Sequence, residues 1–176
     1  SSVVSVGSYA FGYSGIISLD LSGATGLTSI GSAAFYECTK LSGTVVIPSS
    51  VESVGGVAFR NTGITSLDLT GATGLKSIGG SAFQGCIALS GTVRIPSSVE
   101  SVGDRAFFDA TLGKIIVPQK LWDTKDEDPG WATGFPIEKI ELEDIFTYSD
   151  NSKTVITGLI DPDYTGTVVI PSSVVS

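Results

Sequence analysis

The chain reads as a mainly β repeat solenoid: a right-handed coil of short parallel strands with little helix. Three observations predict this. Phe11, Phe35, Phe59, Phe83 and Phe107 recur at one constant interval, four equal steps without a slip. Each closes the same phrase, Ser-(Val/Ile)-Gly-x-x-Ala-Phe, beginning at Ser5, Ser29, Ser53, Ser77 and Ser101. Short alternating apolar segments recur beside each phrase. A fixed period of this size marks coils that bury their apolar edges only against their neighbours. The five phenylalanines are the expected structural column, a buried aromatic stack.

The alternating segments are Leu19-Asp20-Leu21, Val45-Val46-Ile47, Leu67-Asp68-Leu69, Val93-Arg94-Ile95 and Ile115-Ile116-Val117. In each, the outer two side chains should point inward and the central one outward. The starts of these segments are not evenly spaced. A longer step alternates with a shorter one, so two coil types alternate around the constant phenylalanine interval. The longer continues into Ser22-Gly-Ala-Thr-Gly-Leu27 or Thr70-Gly-Ala-Thr-Gly-Leu75. The shorter uses Pro48 to Val51 or Pro96 to Val99, where proline ends strand pairing because it lacks a ladder donor. SLDLSGATGL at Ser18 returns as SLDLTGATGL at Ser66, and GTVVIPSSVESVG at Gly43 as GTVRIPSSVESVG at Gly91. Both shifts equal two steps of the phenylalanine column, so a pair of coils is the duplicated unit.

A second extended segment precedes each Phe, and its outward position runs Val4, Thr28, Glu52, Lys76, Glu100. Lys76 between two glutamates makes an alternating-charge ladder, a structural feature rather than a binding signal.

Residues 1–118 form the five coils. The period then breaks. Residues 119–145 hold Trp122, Trp131 and the acidic run Asp123, Asp126, Glu127, Asp128, and read as an irregular segment capping the last coil. Residues 146–176 start a further run of repeats, because Gly166-Thr-Val-Val-Ile-Pro-Ser-Ser-Val174 repeats the short-coil phrase. The chain opens and closes on Ser-Ser-Val-Val-Ser, a match that suggests a long tandem array or head-to-tail stacking. The ends read as boundaries within a longer chain.

The net charge is −8, and most of it lies late. Seven acidic and six basic residues precede position 119, while eleven acidic and four basic follow. Such a chain offers no basic stripe to a phosphate backbone, which argues against nucleic acid as a partner. No apolar run approaches the roughly 20 residues of a membrane span. Cys38 and Cys86 are two coils apart. Strands at ~4.8 Å put them roughly 10 Å from each other, too far for a disulfide, so they read as two buried thiols.

Chemistry is sparse. The chain has no histidine, which removes Ser-His-Asp and Cys-His arrangements and the common zinc sites. No phosphate loop is present, and no cofactor is expected. Asp126-Glu-Asp128-Pro-Gly130 has the outline of a calcium loop but lacks its closing glutamate. Asp126 and Asp128 are therefore metal candidates by outline alone, and a solvated acidic turn accounts for them. The chain is read as non-catalytic.

The phrase Ile-Pro-Ser-Ser-Val-x-Ser-(Val/Ile)-Gly-x-x-Ala-Phe-x-x-Cys-x-x-Leu resembles the BspA-like leucine-rich repeats of microbial surface proteins. Ile95 to Phe107 matches its first part, and Ile78 to Leu89, with Cys86, its second. The resemblance covers nearly the whole chain, and it departs in the alternating coil length and in having cysteine in only two coils. It implies a cell-surface or secreted protein-binding or adhesion module, with proteins or cell surfaces as partners. The alternative is a structural subunit of an extracellular filament or tandem array, self-associated end to end.

Partners of a curved solenoid lie along its concave sheet. Its outward ladder is expected at Asp20, Val46, Asp68, Arg94 and Ile116, flanked by Ser18, Thr44, Ser66, Thr92 and Lys114. Solvated strand positions, with Asp68 paired to Arg94 across coils, are the plainer reading. Exposed Val46 and Ile116 favour a partner, as do Tyr13, Tyr36 and Phe108 if they face outward.

Overall fold

The computed structural model describes residues 3–118, 120, 121 and 130, together with the backbone of three later segments, 137–139, 146–148 and 156–159. It is a parallel-strand β-solenoid of five turns, numbered here as coils one to five by their phenylalanines. Helix among the described residues is confined to residues 120–121.

Two sheets run along the coil axis, and they differ in continuity. The first is a spine of two-residue strands, β1 (Ser5–Val6), β2 (Ser29–Ile30), β4 (Ser53–Val54), β6 (Ser77–Ile78) and β8 (Ser101–Val102). They pair in parallel in an unbroken order, each residue opposite its counterpart in the next coil. The Ser-(Val/Ile) of the repeated phrase makes these strands, with the apolar residue inward. Flanking amides extend the ladder, Glu52 N–H to Thr28 O at 2.8 Å, Lys76 to Glu52 at 2.8 Å and Glu100 to Lys76 at 2.7 Å. The Glu52, Lys76 and Glu100 side chains stand exposed along it.

The second sheet is broken. β3 (Ser42–Val46) pairs with β5 (Gly63–Asp68), and β7 (Ser90–Arg94) with β9 (Thr111–Val117), which in turn pairs with β10 (Ile137–Lys139). β5 and β7 belong to separate sheets. Pairing therefore follows the shorter step, as in Thr44↔Ser66 and Thr92↔Lys114, and fails at the longer one. The alternation read from sequence divides this face into two-coil modules. Gly43 and Gly91 enter the short-coil strands at φ +85° and +82°, a conformation that costs other residues dearly. The register shifts beside each of them. A separate antiparallel pair, β11 (Phe146–Tyr148) with β12 (Ile156–Leu159), follows.

Between spine and second sheet, each coil turns through an arc centred on its Phe. Tyr9, Ala33, Val57, Ser81 and Arg105, and then Tyr13, Glu37, Asn61 and Asp109, all adopt φ between 51° and 59°. These left-handed residues stand four apart in each arc, and successive amides point in different directions. In coil two, Ala33, Phe35 and Glu37 donate forward to Gly56, Ala58 and Arg60, while Ala34, Tyr36 and Cys38 close turns within their own coil. The same pattern recurs along the stack. Left-handed backbone in non-glycine residues is strained, and the inter-coil bonds hold it in place.

Inside the arcs the phenylalanines stack as expected, with centroids 4.9–5.4 Å apart and ring planes within 15°. Phe35, Phe59, Phe83 and Phe107 are fully buried, but Phe11 is 42% exposed. The column is therefore buried only where a coil precedes. The phrase glycine has the same dependence. A Cβ on Gly31 would lie 2.8 Å from the Gly7 carbonyl carbon, and one on Gly55 would lie 2.5 Å from the Ser32 nitrogen. On Gly7 it would meet nothing within 4 Å.

The strand expected at Leu19–Leu21 does not form. Leu19 and Leu21 are half-exposed, whereas their counterparts two coils on, Leu67 and Leu69, are buried. Cys38 and Cys86 are both free and buried, as the spacing required. Each donates to the carbonyl of the phenylalanine one coil back, Cys38 to Phe11 O at 2.9 Å and Cys86 to Phe59 O at 3.1 Å. Burial pushes the Cys86 thiol up, and both cysteines, fully buried, serve as small core groups.

Candidate partner-binding face

Eight of the ten expected ladder positions lie on the second sheet, while Ser18 and Asp20 lie in a segment that forms no strand. Thr44 stands opposite Ser66 and Val46 opposite Asp68 in one module, and Thr92 opposite Lys114 and Arg94 opposite Ile116 in the next. β10 extends the second row by placing Glu138 opposite Ile116, a neighbour that the repeat period gave no means of assigning. Ser18, Asp20, Thr44, Val46 and Thr92 are exposed, while Ser66, Asp68, Arg94 and Lys114 are half-buried.

Ile116 corrects the sequence reading. It is buried, 3% exposed, although its neighbours Ile115 and Val117 already point into the core. Alternation sets the direction of a side chain but not whether that face is covered, and at the end of β9, Ile115 to Val117, both faces are buried. The ladder is thus apolar and open at Val46, which is 51% exposed, and closed at Ile116.

The two aspartates have a local task. Asp20 Oδ1 accepts the Ser22 amide at 2.8 Å. Asp68 Oδ1 accepts the Thr70 amide at 2.9 Å and its hydroxyl at 2.6 Å. Both form turns that start the longer loop, the usual work of aspartate two residues before an amide. The backbone bond from Ser22 holds the Asp20 carboxyl below its usual range. Asp68 and Arg94 sit in separate sheets, and the Asp68 carboxylate is engaged in this turn.

The arcs carry the most hot-spot-like chemistry. The Tyr36 ring meets Tyr9 edge-on at 6.4 Å and Tyr13 edge-on at 5.2 Å. The Arg60 guanidinium lies over the same ring at 6.0 Å. Tyr9 and Tyr13 are 61% and 71% exposed. Some desolvation and then the neighbouring Tyr36, Glu37 and Tyr9 pull the Tyr13 hydroxyl up. At the other end Arg105 covers Phe108 at 5.7 Å. Tyr13, Tyr36 and Phe108 were legible as candidates. Tyr9 was missed, though its place two residues before Phe11 mirrors that of Tyr13 two after it.

Beside the arcs an open groove runs past Thr39, Asn61, Gly63, Gly85 and Asp109, with exposed Ile87 on its wall. Asn61 Nδ2 donates to Glu37 Oε1 at 2.7 Å across one coil. Among the described residues no group of three metal-ligating side chains converges, and Asp126 and Asp128 lie outside the described residues. No described helix is long and apolar enough to cross a membrane.

The BspA type leucine rich repeat region matches residues 4–127 in six copies. The chain belongs to that family. The fold is similar to the crystal structure of a leucine-rich repeat protein from T. pallidum, with a TM-score of 0.55 and 26% identity over 65% of this chain and 52% of that one. A leucine-rich repeat protein from Bacteroides ovatus matches with a TM-score of 0.49 and 21% identity over 79% of this chain and 46% of that one. The chain thus spans about half the length of the solved structures it matches. No curated protein matches it in sequence. Membership of a leucine-rich repeat family marks a protein-binding repeat module, and repeats of this kind are in general scaffolds rather than enzymes.

Proposed function

We propose that the chain is a non-catalytic, extracellular protein-binding or adhesion module of a microbial surface protein. The observation that supports this reading is the pair of exposed rings Tyr9 and Tyr13 set edge-on against half-buried Tyr36, with the Arg60 guanidinium over that ring. Tyrosine and arginine dominate the energetics of protein interfaces because they bring large area and few rotamers. Strained backbone and inter-coil bonds hold these rings on a rigid arc. The concave ladder supplies a second, more polar contact row with Val46 as its apolar member.

The test is capture of matrix or cell-surface proteins by the intact chain, compared with two variants. Tyr13→Ala with Tyr36→Ala should weaken capture about tenfold or more, the scale of a hot-spot loss near 2 kcal/mol. Val46→Asp with Arg94→Ala should weaken it less. Capture unchanged by both variants defeats the adhesion reading for these faces.

A structural role in an extracellular filament or tandem array is the second reading. The return of Gly-Thr-Val-Val-Ile-Pro from Gly43 at Gly166, as the start of a further run of repeats, favours it.

A further inference from the structure

Coils two and four are longer than coil three on one flank. Val45 follows Phe35 by ten positions and Val93 follows Phe83 by ten, but Leu67 follows Phe59 by eight. In coils two and four this stretch makes a turn at Thr39-Lys40 and at Ile87-Ala88, whereas coil three passes directly into β5 at Gly63. Thr39 on one side and Ile87 with Ala88 on the other wall the groove that runs over coil three. Its floor is bare backbone. A Cβ on Gly63 would lie 2.9 Å from Leu41 O and 3.0 Å from Thr39 O, so no side chain fits there.

Two features of this groove are not demanded by the repeat. Ile87 is 75% exposed, the most exposed large apolar side chain among the described residues, and the matching place two coils earlier holds Thr39. A turn alone has no use for isoleucine there. Beside it, the left-handed column Tyr13, Glu37, Asn61, Gly85, Asp109 lacks a side chain only at Gly85. Asn61 lies across that gap. Its Nδ2 donates to Glu37 Oε1 at 2.7 Å, and a carboxylate only accepts, so the amide is held with Oδ1 over Gly85, where an added Cβ would collide with it. Asn61 and Asp109 stand two coils apart, roughly 10 Å between backbones, and border the gap from opposite sides. Among the described residues no donor reaches Asn61 Oδ1 or the Asp109 carboxylate.

We propose that this groove docks a partner protein through one arginine carried on an extended segment. The guanidinium is a donor-only cation with a planar fork. It fits a gap bordered by acceptors, a carboxamide oxygen on one side and a carboxylate on the other, and the carboxylate supplies the complementary charge. The aliphatic stem lies on Ile87, since long cationic side chains cover apolar surface while their heads stay hydrated. The chain's own neighbouring arginine does not compete, because Arg60 is laid on the Tyr36 ring. A groove walled on two sides and open above suits a side chain presented by a peptide, whereas small molecules favour sites that bury most of their surface. The inference rests on the protein-binding reading. It adds a face apart from the tyrosine rings and a chemistry for what that face takes.

An NMR titration of the intact chain with the peptide acetyl-Leu-Arg-Leu-amide tests this. At millimolar peptide the amides of Asn61, Gly85 and Ile87 should shift, and those of Tyr9 and Tyr13 should stay in place. Citrulline in place of arginine keeps the shape without the charge and should weaken binding severalfold. Asp109→Asn suits the left-handed backbone at φ 58°, and Ile87→Thr restores the residue of coil two. Each should weaken the arginine peptide severalfold with the melting temperature unchanged, and Asp109→Asn should also flatten the dependence on salt. No shift at the groove amides, equal binding of the citrulline peptide, or equal binding by the two variants overturns the inference. Shifts of the same amides with chain concentration alone assign the groove to a second copy and overturn it as well. In the capture assay, full capture by the double variant Ile87→Thr with Asp109→Asn overturns the groove and leaves the protein-binding reading standing. A chain that captures no protein defeats that reading instead, and the peptide titration still decides the groove.

Discussion

Coil one and coil three are near copies. Both carry Ser-Val-Gly, Ala-Phe and then SLDL with a GATGL loop, yet one is open and the other closed. Phe59 is fully buried where Phe11 is 42% exposed, and Leu67 and Leu69 form a buried strand region where Leu19 and Leu21 do not. The phenylalanine and leucine positions compared carry the same residues in both coils, so the difference in their burial follows the coil that precedes. In a solenoid a sequence phrase specifies half of an interface, and its neighbour supplies the other half.

The largest test of that idea is the ring itself. Phe59→Ala removes a side chain sandwiched between Phe35 and Phe83 at 4.9 and 5.3 Å, and should cost about 3–5 kcal/mol by chemical denaturation. Phe11→Ala removes the same ring from an end position, stacked on Phe35 alone, and should cost about 1–2 kcal/mol. Equal losses would mean that the end of the stack is covered in solution.

Glycine gives a sharper contrast with a smaller effect. Gly55→Ala pushes a methyl into the Gly31–Ser32 backbone, which cannot turn aside as a side chain can. A loss of about 1–3 kcal/mol is expected. Gly7→Ala meets open space and should be neutral or slightly stabilising, by up to about 1 kcal/mol, through the unfolded chain. Thermal or urea melting of the two variants checks both signs.

How much of this was legible follows the same line. The Phe column, the unbridged cysteines and the two alternating coil lengths could be read directly, because each depends on spacing. The division of the second sheet could not be read from the strands alone, since it depends on which of two steps keeps hydrogen-bond register. Ile116 was misjudged for a related reason. Its outward direction follows from alternation, but alternation does not say whether that face is covered, and Ile116 is 3% exposed. Asp20 and Asp68 were read as ladder charges. Their spacing of two residues before Ser22 and Thr70 was the available sign that they make turns.

The smallest effect lies in those turns. The Ser22 amide favours the charged Asp20 carboxylate, so its folded pKa lies below the unfolded value. A depressed carboxyl contributes stability above the unfolded pKa and loses it as pH falls through the folded one. Asp20 is exposed, so the loss should be visible locally and barely in global stability. In an NMR titration the Ser22 amide should shift with a midpoint below that of an ordinary aspartate. Asp20→Asn keeps an oxygen acceptor but cannot titrate, so its Ser22 amide should stay flat over the same range.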